Sequence, residues 1–352
     1  MQKDFTGLLL EWNRRSNTRK MPWKGEKDPY RIWLSEVILQ QTRVEQGLAY
    51  YEKFIRQYPS IAHLAMAPDE EVFKCWEGLG YYSRCRNLLA TARFVHFELD
   101  GRFPDSYEKI LALKGVGPYT AAAIASFAFG APFAVLDGNV FRVLSRYFGI
   151  STPIDTTDGK KMYAQLAQAL LDFNDPAAYN QAIMDFGALV CKPQAPACAT
   201  CVQAADCQAN RHGWTDMLPV KSKTLVRTVR HLNYFILSFK DSIYVRQRTG
   251  DDIWKGLHEW VLWESDNAVA PGPGVWEQHL AKRFPGVRVR ILSISDLRKQ
   301  QLTHQSIQGF MIKVELLRPL PEDSGFQAVE RNRLGSLAFP RYITRFLEEH
   351  PL

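Results

Sequence analysis

Long apolar runs, internal repeats and abundant cysteine are all missing from the 352-residue sequence. No run approaches a membrane span, and the N-terminal MQKDFTGLLLEWNRR has too short an apolar stretch for a secretory signal, so we expect a cytoplasmic protein without a membrane partner. Six cysteines are too few for a disulfide scaffold, and a reducing compartment keeps them available as thiolates. The net charge of +7 permits a polyanionic partner without requiring one.

A glycine-rich turn between two helical patterns is the most informative stretch. Gly115, Val116 and Gly117 form a tight turn, and Pro118 occupies the first position of a helix rich in Ala, Ile and Phe. In such a hairpin the N–H groups of Val116 and Gly117 point outward at the positive end of a helix dipole, where a phosphate can bind. The alternative is a turn that only joins two packed helices.

Two carboxylates stand out against apolar surroundings. Asp137 follows an apolar run directly, and its alternative role is to cap the helix that begins after it. Glu36 lies in an apolar helix started by Asp28 and Pro29, where desolvation would favour the protonated form that a general acid needs. That helix alone favours the alternative, an ordinary salt bridge of Glu36 to Arg31 or Arg43. A carboxylate near a phosphate-binding hairpin indicates chemistry on a nucleic acid.

Two loops carry residues suited to filling the gap that an extruded base leaves in a duplex. One is Gly78-Leu79-Gly80-Tyr81-Tyr82, with an exposed Tyr81, and the other contains Gln40 and Gln41 at the end of a helix. The alternative is a helix-to-helix turn with aromatic anchors.

Four cysteines within seventeen residues follow the last helix of the first half, in the pattern Cys191-x6-Cys198-x2-Cys201-x5-Cys207. Structural zinc usually takes two short Cys-x-x-Cys pairs, whereas this loop has one such pair with unequal flanking gaps. A [4Fe-4S] cluster bound by four thiolates is therefore preferred over zinc. Cys75 and Cys85 lie on helices far from this loop and are expected to be core thiols.

The pattern of elements divides the chain into two domains joined by a basic linker. Residues 1–210 are predicted to be almost entirely helical, residues 211–229 form the linker, and residues 230–352 form an α+β domain. In this domain we predict strands over 231–239, 242–248, 287–294 and 309–317, with helices over 275–284 and 341–349.

The ordered set WLSEVILQQTRV, GLGYYSR, LKGVGPYTAAAI, LDGNVFRVLSR and the four-cysteine loop resembles the helix-hairpin-helix DNA glycosylases, most closely adenine DNA glycosylases of the MutY type. The resemblance covers the first domain almost end to end. The second domain resembles the Nudix-like domain that these enzymes carry, with DDIWKGLHEW similar to their Trp-rich loop. It lacks a Glu-rich Nudix catalytic box, so hydrolysis of a nucleoside diphosphate is not expected.

The resemblance implies removal of adenine opposite 8-oxoguanine or guanine in double-stranded DNA by a monomeric enzyme. Glu36 matches the acid that protonates adenine at N7, and Asp137 the carboxylate that faces the sugar. Asn139 and Tyr119 match positions that support Asp137 and the sugar. Bifunctional relatives have lysine in place of Tyr119, and tyrosine cannot form their Schiff base. We therefore expect base removal without efficient strand cleavage, the alternative being that Lys114 or another amine takes the role of that lysine.

The resemblance also assigns binding residues. Trp23, Lys24 and Leu39 would lie near the flipped adenine, Gln41 and Tyr81 match wedge positions, and the four cysteines match cluster ligands. Lys114 and the turn that follows it would bind DNA backbone. The lesion-reading loop, usually Phe-Ser-His followed by a second histidine, is Leu302-Thr303-His304-Gln305-Ser306 here, so Thr303 and His304 are the predicted contacts.

Two other functions fit parts of the sequence. One is an endonuclease III type lyase acting on oxidised pyrimidines, against which Tyr119 and the second domain argue. The other is a non-catalytic protein that binds damaged DNA and uses its cluster for structure or electron transfer. A pure binder needs neither Glu36 nor Asp137, so their presence argues against it.

Overall fold

The computed structural model describes residues 2–222, 226–267 and 274–352. It separates into two compact units, Met1–Met66 with Arg86–Thr224 and Ala67–Cys85 with Leu225–Leu352. The segment 67–85 therefore groups with the C-terminal part of the chain. The predicted boundaries at 210 and 230 stay a prediction, and residues 223–225 of the predicted linker lie outside the described residues.

Helices dominate the first unit, and most begin at a side-chain cap or at a proline in the first turn. The helices of the described chain are α1 (Gln2–Ser16), α2 (Pro29–Leu39), α3 (Val44–Gln57), α4 (Ile61–Met66), α5 (Asp69–Trp76), α6 (Ser83–Glu98), α7 (Tyr107–Leu111), α8 (Pro118–Phe129), α9 (Gly138–Phe148), α10 (Thr157–Leu170), α11 (Pro176–Leu189), α12 (Gln208–His212), α13 (Val275–Arg283) and α14 (Arg341–Glu349). None of those in the described ranges is long and apolar enough to cross a membrane.

The prediction of a mostly helical first half is confirmed, with two short helices missed. These are α4 and α12, each only one or two turns long, and α12 begins directly after Cys207, the last residue of the four-cysteine segment. One core joins α1, α9 and α11 through buried side chains that include Phe5, Leu144 and Phe186. This core fixes the first residues of α9, where Asp137 is the N-cap.

Two buried or half-buried amides hold the extended chain that leads from α8 to Asp137. Asn180 accepts from the N–H of Val135 at 3.0 Å, and Gln168 accepts from that of Ala134 at 3.0 Å. Because this segment pairs with side chains rather than with a strand, its backbone groups are satisfied without a sheet. Asp137 therefore lies at the end of a segment that is held in place by side-chain hydrogen bonds.

A mixed nine-stranded sheet forms most of the second unit. Its strands are β1 (Thr228–Phe239), β2 (Ser242–Gln247), β3 (His258–Glu259), β4 (Val261–Ser265), β5 (Val289–Ile294), β6 (Arg298–Gln301), β7 (Gln305–Gly309), β8 (Met311–Leu316) and β9 (Gln327–Glu330). The long strand β1 pairs antiparallel with β2 and β4 and parallel with β7 and β8. Strands β6 and β7 form an antiparallel hairpin whose loop carries the predicted lesion contacts.

The α+β prediction for this unit is confirmed, and the four predicted strands correspond to β1, β2, β5 and β8. The short strands β3, β4, β6, β7 and β9 were missed. Helix α13 packs Trp276 and Leu280 against Phe235 and Val314 of the sheet. Helix α5 belongs to the same unit because Phe339 N–H donates to Glu77 Oε1 at 2.9 Å and Lys74 Nζ donates to a carbonyl oxygen of the C-terminal segment at 3.0 Å.

Candidate active site

A cavity of about 470 Å³ in the helical unit brings the predicted catalytic residues together. Its walls come from α2, α8, the start of α9, α11 and the segment before α2. The predicted residues that line it are Trp23, Lys24, Glu36, Leu39, Tyr119, Asp137 and Asn139. The volume is sufficient for a single nucleobase and its sugar, since ligand sites of this kind span a few hundred cubic ångströms.

Glu36 is buried, with 7% of its surface exposed, and is surrounded by the apolar residues of α2. Burial raises its pKa to about 7, a hydrogen bond with Tyr119 opposes this rise, and the charge of Asp137 adds to it. The charged group that shifts the pKa of Glu36 is Asp137, and neither Arg31 nor Arg43 contributes, while Arg31 pairs with Glu26 at 3.3 Å; the alternative of an ordinary salt bridge is therefore wrong. A substantial share of Glu36 is therefore protonated at neutral pH.

Asp137 is both the N-cap of α9 and a lining residue of the cavity. Its Oδ1 accepts from the N–H groups of Asn139 at 2.9 Å and Val140 at 2.8 Å, and its Oδ2 accepts from Asn139 Nδ2 at 2.7 Å. Burial raises the pKa of Asp137, while these three hydrogen bonds oppose the rise by stabilising the carboxylate. The cap interpretation and the catalytic one are thus compatible.

A buried arginine fixes Asn139 from the side opposite Asp137. Arg142 Nη2 donates to Asn139 Oδ1 at 2.8 Å and to the carbonyl oxygen of Gly187 at 2.7 Å. A Cβ at Gly187 would lie 2.6 Å from the Cβ of Asn139, so only glycine lets α11 approach α9 this closely. Sequence reasoning missed both Arg142 and Gly187, whose roles depend on helix packing.

Tyr119 lies in the first turn of α8, next to Pro118, and its ring is half-buried. Its hydroxyl donates to Met184 Sδ at 3.6 Å and also hydrogen-bonds with Glu36. Burial raises the pKa of Tyr119 well above its ordinary value, and the two neighbouring carboxylates raise it further. The phenol therefore remains protonated, and its single O–H is shared between Met184 Sδ and Glu36.

Known proteins similar to this chain are DNA repair proteins that include adenine DNA glycosylases. Residues 34–171 match the HhH-GPD superfamily of base excision DNA repair proteins. An adenine DNA glycosylase of Buchnera aphidicola (subspecies Baizongia pistaciae) is 34% identical over 255 residues, which cover 72% of each chain. The chain belongs to the adenine DNA glycosylase family. The human adenine DNA glycosylase is 42% identical over 216 residues, which cover 59% of this chain and 39% of that protein.

Solved structures of other glycosylases share the fold of the helical unit. A thermostable thymine-DNA glycosylase, 32% identical, covers 60% of this chain and 97% of its own with a TM-score of 0.56. An endonuclease III–DNA complex, 19% identical, covers 60% of this chain with a TM-score of 0.52 and supports the fold alone. The predicted class, an enzyme of base excision repair that hydrolyses N-glycosyl bonds, is confirmed by the membership in the adenine DNA glycosylase family.

The hairpin of this adenine DNA glycosylase family member differs from expectation in one respect. The N–H of Val116 donates to the carbonyl oxygen of Leu113 at 3.1 Å, so the prediction that it points outward is wrong. Gly115 has a φ of +79°, and a Cβ there would lie 2.6 Å from that of Asn87. Gly117 precedes α8 without a side-chain cap, and Lys114 is exposed beside it. The turn thus places the uncapped N-terminus of α8 near the cationic side chain of Lys114.

The four-cysteine loop brings Cys191, Cys198, Cys201 and Cys207 to one small cavity of the helical unit. All four thiols are free. Arg146 is buried beside them, where its guanidinium donates to the carbonyl oxygen of Lys192 at 2.7 Å and to Cys191 Sγ at 3.5 Å. Burial raises the pKa of the Cys201 thiol to about 11. Within the described ranges, no group of three or more His, Cys, Asp or Glu is placed to hold a metal ion.

In the second unit, the two predicted lesion-contact loops meet. Tyr81, 39% exposed with a φ of +48°, hydrogen-bonds through its hydroxyl with Thr303 Oγ1. The Arg84 guanidinium lies 5.6 Å from the centroid of the Tyr81 ring, a cation–π contact. His304 is exposed next to Thr303 in the loop between β6 and β7. Gln41, in the helical unit, is also exposed and has a φ of +56°.

Proposed function

We propose that the protein removes adenine from double-stranded DNA where it is mispaired with 8-oxoguanine or guanine, and that it leaves an abasic site in an intact strand. The observation that carries this proposal is the convergence of Glu36 and Asp137 on one cavity. The family membership supports adenine as the substrate. A cavity with two carboxyls of different environments has the groups that N-glycosyl hydrolysis needs.

In this mechanism Glu36 acts as the general acid and Asp137 stabilises the positive charge on the sugar. Burial and the neighbouring charge of Asp137 raise the pKa of Glu36 to about 7, so near neutral pH it holds a proton that it delivers to N7 of the extruded adenine. Protonation makes the base a better leaving group. Asp137 is held as a carboxylate by three hydrogen bonds and stabilises the oxocarbenium-like sugar. The hydrogen bond of Tyr119 to Glu36 orients the acid.

We propose further that the loops of Tyr81 and Thr303 together contact the lesion pair. Their hydrogen bond joins the exposed Tyr81 to the loop that also carries the exposed His304. An exposed ring can stack on bases, and a neighbouring hydroxyl and imidazole can bind the edge of an oxidised guanine. The C-terminal unit would thus serve as a Nudix-like recognition domain.

We propose that the four-cysteine loop binds a [4Fe-4S] cluster. The residues fit such a group because four free thiols line one cavity beside the buried cation Arg146, which stabilises bound thiolates. Cys191, Cys198, Cys201 and Cys207 would hold it, and its contribution would be to order the loop. Zinc without iron or sulfide in the purified protein would contradict this assignment.

A single-turnover assay tests the substrate. We expect labelled duplexes with adenine opposite 8-oxoguanine and opposite guanine to be cleaved only after alkali, with adenine opposite thymine and thymine glycol opposite adenine left intact. Thr303→Val should reduce the preference for 8-oxoguanine over guanine by up to about tenfold, since one hydrogen bond is lost, and leave release opposite guanine unchanged. Cleavage at thymine glycol without alkali would instead favour an endonuclease III type lyase.

A further inference from the structure

A fully buried carboxylate, Asp185 of α11, lies behind the wall of the active-site cavity. Its Oδ1 accepts from Arg19 Nη1 at 2.9 Å and Gln181 Nε2 at 3.0 Å. Its Oδ2 accepts from Lys24 Nζ at 3.0 Å and Asn17 Nδ2 at 2.8 Å. Asp185 does not itself line the cavity, whereas Arg19, Lys24 and Gln181 do. One buried carboxylate therefore anchors three side chains of the cavity wall.

The anchoring restricts what these side chains can present to a base. Arg19 and Lys24 are donors only. Gln181 donates an N–H of its Nε2 to Asp185, and the Oε1 of Gln181 is then the atom that can accept a hydrogen bond from a base. The wall thus combines two cationic donors with one amide acceptor. Adenine presents an acceptor at N1 and a donor at its 6-amino group, whereas guanine presents a donor at N1 and an acceptor at O6.

We propose that Asp185 is a positioning residue for base selection, which holds Arg19, Lys24 and Gln181 in the arrangement that matches the hydrogen-bonding edge of adenine. It touches neither base nor sugar. The inference rests on the proposed function, because it takes this cavity as the base pocket. A site whose polar groups match a substrate discriminates against analogues that leave those groups unpaired.

The test is Asp185→Asn, which preserves size and shape and removes the charge. Two substrates are compared under single turnover, each opposite 8-oxoguanine: adenine, and 1-deazapurine, which keeps N7 but lacks both N1 and the 6-amino group. We expect the adenine rate to fall about a hundredfold, since misplaced positioning groups have effects of this size. The 1-deazapurine rate should change by no more than about threefold, because that base never used the displaced groups.

Glu259→Gln is a matched control. Glu259 is likewise almost fully buried and bound by two arginines, Arg246 and Arg248, but belongs to the second unit. The Glu259→Gln variant should have lower thermal stability than wild type, but the ratio of its adenine rate to its 1-deazapurine rate should be unchanged. Equal losses on both substrates in Asp185→Asn would assign Asp185 a purely structural role and overturn the proposal, as would unchanged rates. Adenine release that survives Glu36→Gln would instead refute the base pocket itself.

Discussion

Glu36→Gln is expected to reduce the single-turnover rate of adenine release by about a thousandfold while duplex affinity stays within about twofold. Glutamine keeps the size of the side chain and accepts a hydrogen bond from Tyr119, but it has no proton to give at neutral pH. The loss should appear in rate and not in binding, because the carboxyl acts on the leaving group. Gel-shift titration and quenched-flow measurement on the same duplex separate the two effects.

Asp137→Asn belongs to the same experiment and should be similarly inactive. Asparagine is as good an N-cap as aspartate, so α9 should keep its start while the charge facing the sugar is lost. Asp175→Asn is the control, since Asp175 also lines the cavity and caps α11 through a 3.0 Å bond from Ala178 N–H. It should release adenine at the wild-type rate. Activity above a tenth of wild type in either catalytic variant would contradict the two-carboxyl mechanism.

The buried carboxyl of Glu36 also links activity to pH and stability. Its pKa rises from 4.5 to about 7 on folding, so between these values the folded state binds a proton that the unfolded state has lost. Stability therefore falls as pH rises through this window, by on the order of 3 kcal/mol once pH exceeds 7. Glu36→Gln should consequently unfold at a higher temperature than wild type at pH 8, but not at pH 4.5, and the wild-type rate should fall above pH 7.

The features that the sequence predicts well are those that depend on neighbouring residues in the chain, such as the starts of helices. The helix start at Pro29 after Asp28, and that at Gly138 after Asp137, follow from capping rules that need no tertiary information. Glu36 and Asp137 are recognisable in the sequence because each interrupts an apolar pattern. That they share a cavity with Tyr119 could be expected only from the resemblance, because α2, α8 and α9 are far apart in the chain.

Other features depend on contacts that no local pattern carries. The sequence around Asp185, NQAIMDFGAL, is that of a polar residue in an ordinary helix, and its four donors come from α11 itself and from the segment before α2. Strands β6 and β7 contain glutamines instead of an apolar alternation, since only part of each faces the core. The grouping of residues 67–85 with the C-terminal unit likewise rests on long-range hydrogen bonds.

Tyr119→Lys should convert the enzyme into one that forms a covalent adduct with DNA. A lysine at this position would reach the same cavity, where its amine could attack C1′ of the sugar once the base leaves. Borohydride should then trap the variant on adenine-containing duplex, whereas wild type should give no trapped species. The ammonium beside Glu36 should also lower the pKa of that carboxyl, so base release at pH 8 should be slower than in wild type.

Tyr119→Phe distinguishes the new amine from loss of the tyrosine. Phenylalanine keeps the ring but removes the hydroxyl that bonds to Glu36 and to Met184 Sδ. It should give no trapped adduct and should release adenine within about tenfold of the wild-type rate, since one hydrogen bond to the acid is lost. If Tyr119→Lys releases adenine but is not trapped, the prediction is contradicted. The neighbouring carboxylates would then hold the new side chain as an ammonium ion, and the residue at position 119 would not by itself decide between glycosylase and lyase activity.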